Sequence, residues 1–193
     1  MLKLLHAVVV VASMVVTTWA WSGAAPAQSE EKFGVFAPHD LGHASDAANW
    51  CAVHTARKEL VQALSDCTYA LSVNPNDALA LSNRASIYTL ANDPNAALAD
   101  LDRAIAIKPD HPMLRFNRGV VHSDLGQTDA ALADYDKALE LKPDFAAALH
   151  NRGWEHEKRG ERDAAIKDYE AALRIIPDLA QSKRRIQGLR PAL

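Results

Sequence analysis

Several things are scarce in this chain. Aromatic residues make up 6% of its 193 residues, and its 21 basic against 24 acidic residues leave only a mild negative balance. No long block of like charge occurs. A chain without a basic face has no general attraction for the phosphates of nucleic acid. Eight glycines and nine prolines are too few for a disordered chain, and 49% apolar residues predict a folded, soluble domain. The only cysteines are Cys51 and Cys67. None precedes residue 51, which argues against a lipid-anchored N-terminus of the bacterial lipoprotein kind. Catalytic vocabulary is missing too: there is no Ser-His-Asp elbow, phosphate loop or zinc spacing. No enzyme activity, cofactor, metal or small-molecule substrate is therefore read from the chain.

One long apolar run is present, and it lies at the start. Lys3 gives a positive beginning, Ala7 to Val16 is apolar but for Ser13, and small residues follow as far as Ala25-Pro26-Ala27. This is the layout of a secretory signal peptide, residues 1–27, cleaved after Ala27. Leu4 to Trp21 is also just long enough to span a bilayer, so an uncleaved anchor is the alternative. Only in that case would the chain touch a membrane. On either reading the rest of the chain is placed outside the cytoplasm, periplasmic or secreted. Residues 28–43, with Gly34, Pro38 and Gly42, read as a linker. His39 and His43 lie four apart there, but the proline and glycine disfavour a helix that would present both to one metal ion.

From Ala44 a period of 34 residues sets in. Pro75, Pro109, Pro143 and Pro177 recur at that spacing, each followed closely by Asp. Proline ends one helix, and an Asp or Asn just after it is expected to cap the next. Small residues recur in three columns: Cys51, Ala85, Gly119 and Gly153; Ala63, Ala97, Ala131 and Ala165; Ala70, Ala104, Ala138 and Ala172. Small residues on facing helices permit close approach, and Leu132, Tyr135 and Leu139 fill the space around them. Asn92-Asp93-Pro94, Gly126-Gln127-Thr128 and Gly160-Glu161 break each unit into two helices. A fixed period of this length means stacked supersecondary units.

These features resemble the tetratricopeptide repeat (TPR) family. The resemblance rests on the small residue of the first helix, the Ala131, Tyr135 and Ala138 spacing of the second, and the closing proline. It covers Ala44 to Leu179 as four units, 44–77 (divergent), 78–111, 112–145 and 146–179. A departure is visible early in the first helix. The large aromatic that the family favours is replaced by Ala47, Leu81, Arg115 and Leu149. The resemblance implies an all-α fold, a right-handed α-solenoid of stacked helix-turn-helix repeats. Residues 180–193, basic and with an apolar edge at Ile186 and Leu189, read as a helix that caps the last repeat, the alternative being that its basic residues receive an acidic partner.

The resemblance also implies that ligands bind on the concave side. At 100° per residue, Gly119, Arg115 and His122 face the packed side, while Met113, Phe116, Asn117, Val120 and Asp124 fall on a separate arc. On that arc Asn49, Asn83, Asn117 and Asn151 form an invariant column. Carboxamides offer both donors and acceptors, and a ladder of them can bind the backbone of an extended peptide. The other use for such a column is to tie neighbouring helices together. Leu79, Met113, Phe116, Val120, His150 and Trp154 lie beside it as candidate pocket residues.

Two further pairings are expected. Cys51 and Cys67 fall on facing columns of the first unit, so in an oxidising compartment they predict a disulfide. Arg84, Arg118 and Arg152 recur opposite Asp66, Asp100, Asp134 and Asp168, predicting Arg–Asp pairs, either within or between repeats. His54, His122 and His156, with Tyr88, recur at one position and read as a packing column. The chain is thus read as a non-catalytic module that binds a protein or peptide partner in a concave groove. The alternative is a structural component of an envelope assembly that uses convex or terminal surfaces.

Overall fold

A computed structural model describes residues 44–57 and 59–190, with side chains from Ala48 onward. The expected leader 1–27, the linker 28–43 with its two histidines, and Lys58 lie outside the described residues. Within them the chain forms α1 (Ala44–Ala56), α2 (Leu60–Val73), α3 (Ala78–Leu90), α4 (Pro94–Ile107), α5 (Pro112–Asp124), α6 (Thr128–Leu141), α7 (Ala146–Lys158), α8 (Arg162–Ile175) and α9 (Ala180–Leu189). The first helices start at 44, 78, 112, 146 and 180, so the 34-residue period of the sequence is also the period of the backbone.

Local chemistry sets the breaks. Asn92, Gly126 and Gly160 hold the same place in the turn inside each repeat, and all three have positive φ (60°, 70° and 76°). Glycine and asparagine tolerate that conformation best. Asp93 accepts from the Ala96 N–H and is followed by Pro94 at the first turn of α4. Between repeats the expected capping is only partly met. Asp77 caps α3 by accepting from the Leu79 and Ala80 N–H groups. Asp110, Asp144 and Asp178 do not cap, because each stands one residue too early. The N-cap positions are His111, Phe145 and Leu179, none with a side-chain cap bond. Phe145 and Leu179 instead pack into the cluster of Leu139, Leu149 and Ala172.

Each helix pair is closed by size matching between two columns. Opposite Gly119 lies Tyr135: a Cβ built on the glycine would sit 2.7 Å from the tyrosine ring. Gly153 faces Tyr169 in the same way, at 2.9 Å. Ala85 instead clusters with Leu101, and Cys51 with Cys67. Where one partner grows the other shrinks, and total volume is conserved.

First helices of successive repeats touch one another, α1 with α3, α3 with α5 and α5 with α7, whereas no two second helices come into comparable contact. The row of described helices is therefore a solenoid with first helices on the tighter, inner side. Helix α9 packs on α8, burying Ile186 against Ala165 and Tyr169, and its Ser182 is buried as well. Among the described residues no helix is long and apolar enough to cross a membrane.

Candidate functional site

Buried polar groups hold the inner face in shape. Arg118 on α5 donates Nε and Nη2 to the two oxygens of Asp134 on α6, both at 2.7 Å, and Nη1 to Asp102 on α4 at 2.7 Å. Arg152 repeats the pattern with Asp168 on α8 and Asp136 on α6. Each guanidinium thus spans two contacts at once, one inside its own repeat and one reaching back to the previous repeat. The planar fork of arginine, with five donors, makes that double engagement possible. The side-chain bonds to Asp134 and Asp168 are the main cause that pushes both arginine pKa values up. Arg84 forks onto Asp100, but position 68, which would supply the backward acid, is Thr68.

The first repeat departs further. Trp50 stands in the arginine column, and Asp66 pairs with His54 Nδ1 at 2.6 Å instead. Cys51 and Cys67 form the predicted disulfide between α1 and α2. The other histidines of that column bond to the turns inside their own repeats, His122 to Gln127 and His156 to Glu161. Glu155, wholly buried, accepts from Ser123 and Thr128 of the preceding repeat and pairs with Lys158.

Along the inner face the asparagine column is used unevenly. Asn117 donates Nδ2 to Ser82 Oγ at 3.0 Å, bridging α5 to α3. Asn151 hydrogen-bonds the Tyr135 phenol, whose pKa burial pushes up. Asn49 and Asn83 make no such side-chain bond among the described residues. One of the two uses weighed from the sequence, tying neighbouring helices together, therefore occurs in this column. Two amides tie repeats together while keeping spare donor and acceptor capacity, and two are left with that capacity whole.

Most of the predicted pocket residues fall into two separate cavities. Phe116, Asn117 and Val120 line one of about 350 Å³, together with Thr55, Ala56, Ser86, Thr89 and Leu90 from α1 and α3. Its floor is Ala85 and Leu101, and among the described residues no charged side chain lines it. Phe116 is held there by rings on both sides, Tyr135 and Phe145. His150, Asn151 and Trp154 line a second cavity of about 570 Å³, completed by Gln181, Arg184 and Arg185 of α9. His150 Nδ1 meets Ser182 Oγ at 2.8 Å, and burial, then Arg185, push its pKa down. Met113 and Leu79 are exposed and line neither cavity.

From the sequence residues 180–193 read as a cap, with an acidic partner for their basic side chains as the alternative; that Gln181, Arg184 and Arg185 share a cavity with His150, Asn151 and Trp154 was not foreseen. A signal was nonetheless available. Arg184 and Arg185 lie one period beyond His150 and Asn151. Thr55, Ser86 and Thr89 were missed for a plainer reason, since small hydroxyl residues carry no distinctive pattern.

Profiles described as tetratricopeptide repeat match residues 59–112, 112–145 and 146–179, together well over half of the chain. No curated protein sequence matches. Among solved structures, MamA protein superposes with a TM-score of 0.66 at 19% identity over 76% of this chain and 80% of that one. Pseudomonas aeruginosa pilF gives 0.71 at 18% identity, covering 76% and 67%. The first TPR of Spaghetti (RPAP3), solved bound to the HSP90 peptide SRMEEVD, gives 0.57 at 22% identity, covering 58% and 89%. At such identities these likenesses establish the fold alone. With the profile matches running unbroken through residues 59–179, the chain belongs to the tetratricopeptide repeat family.

Proposed function

We propose that this protein is a non-catalytic interaction module that holds an extended peptide segment of a partner protein along its inner face, outside the cytoplasm. TPR repeats are typically protein-interaction modules, and the RPAP3 repeat carries a bound peptide. The single observation that carries the reading is the uncharged cavity of Phe116 and Val120 beside Asn117, with the amide of Asn83 on the same column. It combines an apolar socket for a side chain with carboxamides for the adjoining backbone. The Cys51–Cys67 bond supports the compartment, since structural disulfides persist where the surroundings are oxidising.

The test is selection of randomised extended peptides, displayed between flanking protein segments, against the full chain. Selected peptides should bind the parent protein and lose roughly tenfold in affinity on Asn83→Ala, a hydrogen-bond-sized loss. Val120→Arg, which fills the cavity, should abolish binding. Peptides indifferent to both changes would refute the groove. A second reading, an assembly component engaged through other surfaces, is favoured by apolar side chains outside the groove, such as Val61 (75% exposed), Val73 and Ile176. Self-association or partner binding that survives Val120→Arg but falls on Val61→Asp would favour it.

A further inference from the structure

The helix that closes the solenoid does more than cover an apolar end. Its residues fall in register with the groove: one period after His150 stands Arg184, and one period after Asn151 stands Arg185. Both line the same cavity as His150, Asn151 and Trp154. The amide column therefore continues onto α9, but its next rung is a guanidinium.

The charges around these two arginines are unequal. Arg185 is stacked over the Trp154 ring at 3.9 Å and has one long contact, 3.4 Å, to Glu157 Oε1. The other oxygen of Glu157 accepts from the Tyr169 hydroxyl at 2.8 Å, so that carboxylate is held back against α8. Arg184 is exposed and has no acidic partner among the described residues. The other cations at this end of the chain are engaged elsewhere, Lys183 with Asp178 and Arg190, just past α9, with Glu170. Burial, then Arg185, push the His150 pKa down. One carboxylate against two guanidinium groups leaves the cavity with a net positive charge. By contrast, among the described residues no charged side chain lines the cavity at the other end of the groove.

We infer that the groove has a polarity, and that the cavity between α7 and α9 receives an acidic side chain, Asp or Glu, of the same extended peptide whose apolar residue fills the Phe116–Val120 cavity. This rests on the proposed groove function. Arginine supplies paired donors that match a carboxylate, and the Trp154 ring holds one of them in place before any ligand arrives. Asn151 and Gln181, also in the lining, offer amides to backbone, which suits a residue inside a chain.

The selection described above tests this, because the displayed peptides carry no free carboxyl terminus. Those selected on the parent protein should show Asp or Glu at a fixed distance from an apolar residue. Changing that Glu to Gln should weaken binding about tenfold, and added salt should narrow the gap. Selection on Arg184→Glu should lose the acid preference and turn to Lys or Arg. Arg184 makes no contact that folding needs, so its variant should melt with the parent; Arg184→Gln, losing acid preference without reversing it, is the second check. Peptides that are blocked by Val120→Arg yet carry no acid would overturn the inference while leaving the groove intact. So would acid dependence seen only when peptides are displayed with a free C-terminus, which would assign the cavity to a terminal carboxylate. Peptides indifferent to Val120→Arg would sink both readings.

Discussion

The two ends of this solenoid are built from one backbone unit and held together by different chemistry. At the N-terminal end α1 is fastened to α2 by a covalent bond, Cys51–Cys67, with a His54–Asp66 pair where later repeats place an arginine fork. At the C-terminal end no covalent bond joins the helices among the described residues, and charged side chains supplement the apolar packing. Arg152 grips Asp168 and Asp136, Glu155 ties two repeats together, and Arg185 lies on Trp154. The groove differs in the same sense, uncharged beside α1 and α3 and cationic beside α9. The lesson is that the repeat constrains volume and spacing far more than chemistry. Any pair of side chains that fills the space between facing columns serves, whether Cys–Cys, Ala–Leu or Gly–Tyr.

That contrast can be broken from the N-terminal side first. Replacing Cys51 and Cys67 by Ala opens a loop of 16 residues' separation and should cost about 3 kcal/mol. The effect should be local: hydrogen exchange should rise in α1 and α2 while α7 and α8 keep their protection. Equal loosening at both ends would mean that the repeats unfold as one unit and that the ends are not separately held.

A smaller effect sharpens the volume rule. Gly119→Ala drives a methyl group into the buried Tyr135 ring and should cost about 2 kcal/mol in urea unfolding. Adding Tyr135→Leu recreates the Ala85–Leu101 pair of the neighbouring repeat and should restore most of the loss. Absence of rescue would show that the columns are not interchangeable between repeats.

The smallest effect belongs to the C-terminal end and to pH. Burial and Arg185 hold the His150 pKa below the usual imidazole value, so folding favours the neutral ring. Unfolded histidine titrates near about 6.5, and the contribution is complete above that pH. It is lost as pH falls below it, when the unfolded chain takes up the proton more readily. His150→Asn should flatten the urea midpoint between roughly pH 7.5 and 5.5 relative to the parent, by a fraction of a kcal/mol. An unchanged slope would show that His150 does not couple α9 to the last repeat.

Helix boundaries, the turns inside repeats and the small columns were legible in the order of the amino acids. Each is a local property: proline and glycine restrict backbone angles, and facing columns must match in size. Capping was misjudged at Asp110, Asp144 and Asp178 because a cap depends on a one-residue offset that periodicity does not resolve. The candidate site was half legible. The asparagine column was plain, but its division into bridging and unbonded amides was not.

What the sequence alone determined is which positions are equivalent, since a 34-residue period needs only the chain to be read against itself. What only the stacked helices decided is which of those positions meet. Arg118 reaches Asp134 and Asp102 together, and Arg184 and Arg185 turn into the cavity of Asn151. Repetition states that two residues occupy like places. Curvature and the rise from one repeat to the next set how far apart those places lie, and a carboxylate bonds a guanidinium only within a few ångströms.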